Sequence, residues 1–380
     1  MTKTLLNLKG QPLVNNLLGS AQEALTATRW PLKAVYDKNH TIHLDTEVPP
    51  EKLYQNYLYR SGISAPYVEH CKQLHQSLSH LNQDVVMDIG GNDGTLLKMF
   101  KQQNNGKGRY INVDASASFR ADNEQAGIEY VNAFFSDNLD LPKANIITST
   151  NVFQHTKDIR SFIKGIVKFL DGVWVLEFPY ALTTLITRQF DQFYHEHYYY
   201  WLLSPLHSLF QEYGLGILLV QELPIHGGTM RLWLTNKASK QAEVTDIIEQ
   251  YKEKESFIDF DNFQEDCEYT IMSRFDFIED LDGRTVFFGA AAKGCIFLNA
   301  LGLSIENMPD AYVVDDTPEK QGLFIPGTGF QVCSRERLVE DKPDNVIILA
   351  HNFSDYIAKS LRQDNFEGKI YTCLPSITEF

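Results

Sequence analysis

Val85-Val-Met-Asp-Ile-Gly-Gly-Asn-Asp-Gly-Thr-Leu-Leu-Lys-Met-Phe100 changes its local preference twice. Val85-Val-Met is a short apolar, β-branched run of the kind that forms a buried strand. Gly90, Gly91 and Gly94 end it with residues that accept a positive φ and let backbone come close to a ligand. Thr95-Leu-Leu-Lys-Met-Phe100 then has helical spacing. Strand, glycine turn and helix in this order open a parallel α/β sheet. The alternation continues outward. Strands are predicted at Tyr110–Asp114, Glu129–Val131, Asn145–Ser149 and Val173–Phe178, with helical segments between them. Gly216–Glu222 and Thr229–Thr235 read as a strand pair joined through Pro224-Ile-His-Gly-Gly228. A polar, charged helix is predicted from Gln241 to about Asp282. A second α/β unit follows, with strands at Thr285–Phe288, Ala311–Asp315, Asn345–Ala350 and Lys369–Thr372. Upstream, an amphipathic stretch runs from His70 to Leu81. Before it, Pro12, Pro31, Pro49, Pro50 and Pro66 break helical periodicity.

The predicted organisation is therefore an N-terminal arm of short elements over 1–70, a first α/β domain over 71–238, a helical connection over 239–284 and a smaller α/β domain over 285–380. A chain of 380 residues is long enough for two cores. Its formal net charge of −15, with no Lys/Arg run, disfavours nucleic acid and anionic membrane as partners. The most apolar stretch, Val286–Leu303, is interrupted by Lys293, Asn299 and three glycines, so no membrane span is expected. The N-terminus lacks a basic-then-apolar signal pattern. Five scattered cysteines without a CxxC suit a reducing compartment, and a cytoplasmic protein is expected.

The glycine turn carries information about its ligand. Dinucleotide enzymes favour GxGxxG, in which the second glycine makes room for pyrophosphate. Here the spacing is Asp88-x-Gly90-x-x-x-Gly94, and the turn reads GGNDG, with Asp93 where a diphosphate would sit. An acidic turn disfavours NAD and suits S-adenosylmethionine, which has no phosphate and bears a sulfonium and an ammonium. Asp114, closing the second predicted strand, is placed to accept the ribose hydroxyls. Asp88, Gly90, Gly91, Asn92, Gly94 and Asp114 are the candidate cofactor residues.

Phe190-Asp-Gln-Phe-Tyr-His-Glu-His-Tyr-Tyr-Tyr-Trp201 puts two histidines on either side of one glutamate among aromatics. Taken alone it fits a metal pair, an acid/base pair or the polar tips of an aromatic strip. Alternating residues of an extended stretch point to opposite faces, which disfavours joint metal ligation by His195 and His197.

DIGGNDGTLL, FDQFYHEHYYY, HGGTMR, GAAAKG, DDTPEKQG with IPGTG, and AHNFSD together resemble the sugar C-methyltransferases of deoxysugar biosynthesis, in that family's order over residues 5–375. The resemblance implies a class I, Rossmann-like methyltransferase domain followed by a second, smaller Rossmann-like domain. It also implies S-adenosylmethionine as cofactor and methylation of C-3 of a nucleotide-linked 4-keto-deoxysugar. Carbon methylation beside a ketone needs a base, an enolate-stabilising group and a methyl sulfonium held in line. The matching positions make His197 the base, Glu196 an orienting or shuttling group, and Tyr194 a donor toward the enolate oxygen. His155 and Tyr59 are carried over as further active-site members, and Asn151 as a cofactor contact. Lys293, at an anion-friendly helix start, with Arg231, Lys320 and Asn352, are the candidate substrate contacts. The family's N-terminal zinc module has two cysteine pairs. Here Leu5–Leu17 resembles the segment just after the first pair, and Tyr36 and Asn39 occupy the second, so no metal ligands are assigned and zinc is not expected. His351, where the family usually shows Trp, is a second departure. A different small-molecule acceptor, or a non-catalytic nucleotide-sugar binding protein, are the alternative readings.

Overall fold

The computed structural model describes residues 2–46, 48–53, 60–237 and 244–380. Its centre is a seven-stranded sheet. In spatial order the strands are Gly216–Leu223, Thr229–Thr235, Leu170–Pro179, Ala144–Thr150, Val85–Ile89, Arg109–Asp114 and Glu129–Asn132. The last five run parallel, and Thr229–Thr235 is antiparallel to both neighbours. Continuous apolar runs make this possible, since Val86, Met87, Ile111, Ile146, Ile147, Val175 and Leu176 are buried on both faces. From Val85–Ile89 the chain builds outward one way through two strands and then returns to build the other way. The crevice at that reversal, beyond the carboxyl ends of the strands, is where open α/β sheets take ligands.

A second sheet has Val332–Cys333, Val313–Val314, Thr285–Phe288, Asn345–Ile348 and Lys369–Thr372 parallel, with Thr378–Glu379 antiparallel at one edge. It repeats the same reversal around its first strand. The chain is thus an α/β protein with two Rossmann-like sheets. The predicted single helix between them is two, Thr245–Ser256 and Phe263–Glu279. Between these, Asn262 donates both its backbone and its side-chain N–H to Asp259. The first helix is fastened to the first sheet's domain by Glu255. Its buried carboxylate accepts from Leu203 N (2.6 Å), Ser204 N (3.0 Å) and Tyr180 Oη (2.7 Å).

The N-terminal region is more regular than its prolines suggest. Lys3–Pro12, Arg29–Tyr36 and Ile42–Leu44 form an antiparallel sheet completed by Tyr199–Tyr200. Pro12 and Pro31 lie toward one end of the Lys3–Pro12/Arg29–Tyr36 ladder, Pro12 opposite Arg29 and Pro31 opposite Gly10, where lost donors cost least. Arg29 Nη2 donates to Asn299 Oδ1 (2.9 Å), and Tyr36 Oη donates to Asp261 Oδ1 (2.8 Å). This small sheet therefore ties the His-Glu-His segment to the second domain. No helix among the described residues is long and apolar enough to cross a membrane.

Candidate active site

At the crevice of the first sheet, Gly90, Asn92 and Gly94 all have positive φ, at 68°, 52° and 76°. A Cβ on Gly90 would come within 2.7 Å of Val152 Cγ2, so glycine is required there by both space and conformation. Three asparagines hold the turn. Asn112 and Asn123 both donate to Asn92 O at 3.0 Å, and Gly91 N donates to Asn112 Oδ1 at 3.1 Å. Asp114 closes the neighbouring strand and accepts from Asn92 N (3.0 Å) and Ser116 N (2.8 Å). Its oxygens keep further lone pairs for a diol. Burial raises its carboxyl above the usual range. Asp88 is buried beneath the turn and accepts from Thr148 Oγ1 at 2.7 Å; burial pushes it up to about 7.

Asp93 does not present its carboxylate to a ligand as the acidic turn suggested. Oδ1 accepts from Thr95 N and Oγ1, and Oδ2 accepts from Gly62 N at 2.9 Å. Asn92 Oδ1 likewise accepts from Ser61 N at 3.2 Å. The acid thus fastens the 61–62 segment over the turn. Asn151, just beyond the Ala144–Thr150 strand, has φ 55° and a buried Oδ1 with no partner among the described residues. A buried acceptor in that condition is one a bound donor can satisfy.

The His-Glu-His segment is a turn, with His197 N donating to Tyr194 O at 2.9 Å. Its histidines part company because of the turn, not because of strand pleating. His195 Nε2 donates to Pro31 O at 3.1 Å, which directs it to the N-terminal sheet. His197 is 3 % exposed, and its ring lies 3.9 Å from that of Tyr194 and 4.8 Å from that of His155. Burial, then the neighbouring His155 and Lys293, hold its pKa well below 6.5. His155 Nδ1 donates to Glu196 O at 2.7 Å, which leaves Nε2 as an acceptor; burial lowers its pKa to about 4. Glu196 is buried, accepts from Asn15 Nδ2 at 2.8 Å and is pushed up to about 7 by burial. His155, Tyr194, Glu196 and His197 are therefore one cluster. Asn15 joins it from an N-terminal segment with no motif to mark it. Tyr59 lies outside the described residues.

The structure places the four expected substrate contacts unequally. Arg231 Nε bonds Glu177 Oε1 at 2.5 Å, and Glu177 Oε2 pairs with His70 Nε2 at 2.7 Å; this arginine is neutralised inside the first sheet rather than free toward a ligand. Lys320 Nζ is held by Ala290 O (2.8 Å) and Asp315 Oδ2 (3.3 Å). Asp315 also takes Ala290 N at 2.8 Å, so the Gly289–Ala291 turn is closed internally. The Lys293 charge instead acts on Asp191 and His197. Asn352 Oδ1 is buried without a partner among the described residues and lies against Gly227. Among the described residues no group of three or more His, Cys, Asp or Glu side chains is arranged to hold a metal ion.

Two family matches meet within the first sheet, at the hairpin between its Gly216–Leu223 and Thr229–Thr235 strands. Residues 65–220 match the family described as methyltransferase domain, and residues 224–375 match the C-methyltransferase C-terminal domain. The chain is an S-adenosylmethionine-dependent methyltransferase. This methyltransferase is 27% identical over 367 residues to the C-methyltransferase NovU of Streptomyces niveus, covering 91% of this chain and 86% of that protein. Among solved structures, it resembles magnesium protoporphyrin IX methyltransferase from Synechocystis PCC 6803 with bound SAH. That match has TM-score 0.37 and 13% identity, over 44% of this chain and 82% of that one. A putative S-adenosylmethionine dependent methyltransferase from Listeria monocytogenes gives TM-score 0.38 and 14% identity, over 46% of this chain and all of that one.

For the methyltransferase, Asp114→Ala removes a charged acceptor from the cofactor crevice. The expected loss is about 1.5–3 kcal/mol, roughly tenfold to a hundredfold in Kd for S-adenosylmethionine. Calorimetry with S-adenosylmethionine and with NADH checks this, because tighter NADH binding by the unaltered protein would contradict the assignment.

Proposed function

We propose that the enzyme methylates a carbon next to a ketone, at C-3 of a nucleotide-linked 4-keto-deoxysugar, in the cleft between its two α/β units. The observation that carries this reading is His197, a buried imidazole held neutral by its surroundings and packed against His155 and Tyr194. An O- or N-methyltransferase acting on an acidic hydroxyl or a free amine has little need of such a base. An α-keto C–H does.

The roles follow from position. The cofactor, when bound, supplies an electrophilic methyl group. Asp114 and the Gly90–Gly94 turn hold its ribose end, and the unpartnered Asn151 Oδ1 offers an acceptor nearer the sheet's centre. His197 accepts the α-proton as the C–H electrons move into the enolate, and the enolate carbon then takes the methyl. His155, fixed by the Glu196 carbonyl, orients the imidazole edge. Tyr194 donates toward the ketone oxygen. Glu196, poised near neutrality by burial, carries the proton away from His197. The nucleotide is assigned to the second domain, and the reaction to the cytoplasm.

The test is deuterium washout. Incubated in D2O with S-adenosylhomocysteine and a thymidine-diphosphate-linked 4-keto-6-deoxy sugar, the protein should exchange the α-proton without methyl transfer. Absence of exchange, with methylation of that sugar on oxygen when S-adenosylmethionine replaces S-adenosylhomocysteine, would overturn the reading.

A further inference from the structure

Lys293, a candidate substrate contact at a helix start, has surroundings that join it to the His-Glu-His cluster. The Ala292–Ala300 helix lies on the Phe190–Gln192 turn, where the rings of Phe190 and Phe297 stack at 6.0 Å. Asp191, the middle residue of that turn, is 1 % exposed, and neither carboxylate oxygen has a hydrogen-bond partner among the described residues. His351 Nδ1 faces it at 3.3 Å. Nε2 of the same imidazole lies 3.3 Å from Gln189 Oε1. Gln189, Gln192 and Asn352 all close on Gly227, where a Cβ would come within 2.9 Å of each. Segments 189–192, 227–228 and 351–352 thus meet one another, and the 190–192 turn, which precedes His197 in the same aromatic stretch, lies on the helix that begins with Ala292 and Lys293.

Burial raises the Asp191 carboxyl to about 7, with the Lys293 charge opposing the rise, and a carboxylate so enclosed stays ionised at neutral pH only with a cation near it. His351 does not supply one, because burial and then the Lys293 charge lower its pKa to about 3. Lys293 does, and its charge acts on Asp191, His351 and His197 alike. Burial lowers the Lys293 pKa to about 8, with Asp191 opposing that fall, so it is largely an ammonium at neutral pH. The groups around His197 are His155 from the 153–155 turn, Tyr194 from its own turn, the backbone of Gln192, Tyr200 from the adjoining strand, and Lys293 from the second unit. Only Lys293 among these carries a positive charge when the histidines are neutral.

We propose that Lys293 stabilises the oxyanion formed when His197 removes the acceptor's α-proton, and that Asp191 positions it, so that the second domain completes the reaction centre of the first. This rests on the carbon-methylation reading above. The C–H bond breaks, its proton passes to His197, and its electron pair forms the enolate C=C. The carbonyl oxygen takes the negative charge, and the ammonium of Lys293 faces it. Transfer of the methyl to carbon restores the C=O. Preorganised cations aimed at a developing oxyanion are worth most where water is excluded.

The test has two arms. In the first, protein labelled with 13C at lysine Cε and loaded with S-adenosylhomocysteine is titrated by NMR, the Lys293 resonance being assigned by its loss in Lys293→Arg. It should titrate near pH 8 and move to lower pH in Asp191→Asn; titration near the ordinary lysine value, unmoved by Asp191→Asn, overturns the pairing. In the second, α-proton exchange is followed with the thymidine-diphosphate-linked 4-keto sugar. Lys293→Met should slow exchange about a hundredfold or more while S-adenosylhomocysteine affinity stays within twofold. The wild-type rate should fall as pH rises through about 8, where the ammonium is lost, and Lys293→Arg should move that limb upward. Exchange within threefold of wild type in Lys293→Met, or an alkaline limb unmoved in Lys293→Arg, overturns the role. Exchange by wild type with no effect of Lys293→Met overturns this inference alone; no exchange by wild type overturns the carbon-acid reading and this inference with it.

Discussion

Replacing His197 with alanine or asparagine should lower the rate of methyl transfer by about 10² to 10⁴, equivalent to roughly 3–5 kcal/mol of transition-state stabilisation, with cofactor affinity nearly unchanged. Its α-proton exchange should fall in parallel, which separates loss of the base from loss of methyl alignment. His195→Ala should cost much less, because that imidazole is turned to Pro31 O. The pH dependence has a definite sign. Burial depresses the His197 pKa well below 6.5, so the free base persists as pH falls. The limb that His197 contributes to kcat/KM should therefore lie below pH 6.5, and a limb near pH 7 that disappears in Glu196→Gln belongs to Glu196. Exchange at the wild-type rate in His197→Ala would move the base elsewhere, and His155 would be the first candidate.

The second large effect is on stability. Glu177 is 0 % exposed and lies between Arg231 and His70 inside the first sheet. Arg231→Met removes its permanently charged partner and leaves a buried carboxylate with an imidazole alone. A loss of about 3–5 kcal/mol is expected, since breaking one half of a buried ion pair exposes the desolvation penalty of the other. All four tryptophans lie at or before residue 233, so denaturation followed by tryptophan fluorescence reports on this half of the molecule. Burial alone would raise the Glu177 pKa, but the His70 and Arg231 pairings overcome it and hold it below 4.5. A depressed acid contributes stability above its unfolded pKa and loses it as pH falls through the folded value. The wild type should therefore lose part of this stability below about pH 4.5, and Arg231→Met should have little of it left to lose. A midpoint within about 0.5 kcal/mol of wild type would show that the arginine's charge is solvated after all.

Periodicity was enough to place most strands of both parallel sheets, because strands buried on both faces must be apolar throughout and glycines must mark their turns. Thr229–Thr235 was found with its observed bounds. Two-residue strands such as Val332–Cys333 and Tyr199–Tyr200 are too short to show any period. The N-terminal sheet was hidden because prolines exclude helix interiors without excluding strand ends. Within the site, the His-Glu-His segment and the cofactor turn were visible as unusual local composition. What was not visible depends on long-range pairing. Asp93 stands where a ligand would sit and accepts from Gly62; Arg231, a candidate substrate contact, is paired with Glu177. Asn15 and Gln189 belong to no pattern, Asp191 stands inside the aromatic motif with nothing to mark its role, and only the folding of distant segments onto one turn brings Asn15 and His351 to the candidate site.

The most direct measurement is the position of the transferred methyl. The protein, S-adenosylmethionine carrying a 13C methyl and a thymidine-diphosphate-linked 4-keto-2,6-dideoxy sugar are combined, and the product is examined by NMR. The expected product has the labelled methyl on C-3, showing one-bond carbon–carbon coupling and long-range correlation to the C-4 ketone. A methyl resonance on oxygen or nitrogen, at the chemical shift of an ether or an amine and without carbon–carbon coupling, would contradict base-assisted carbon methylation.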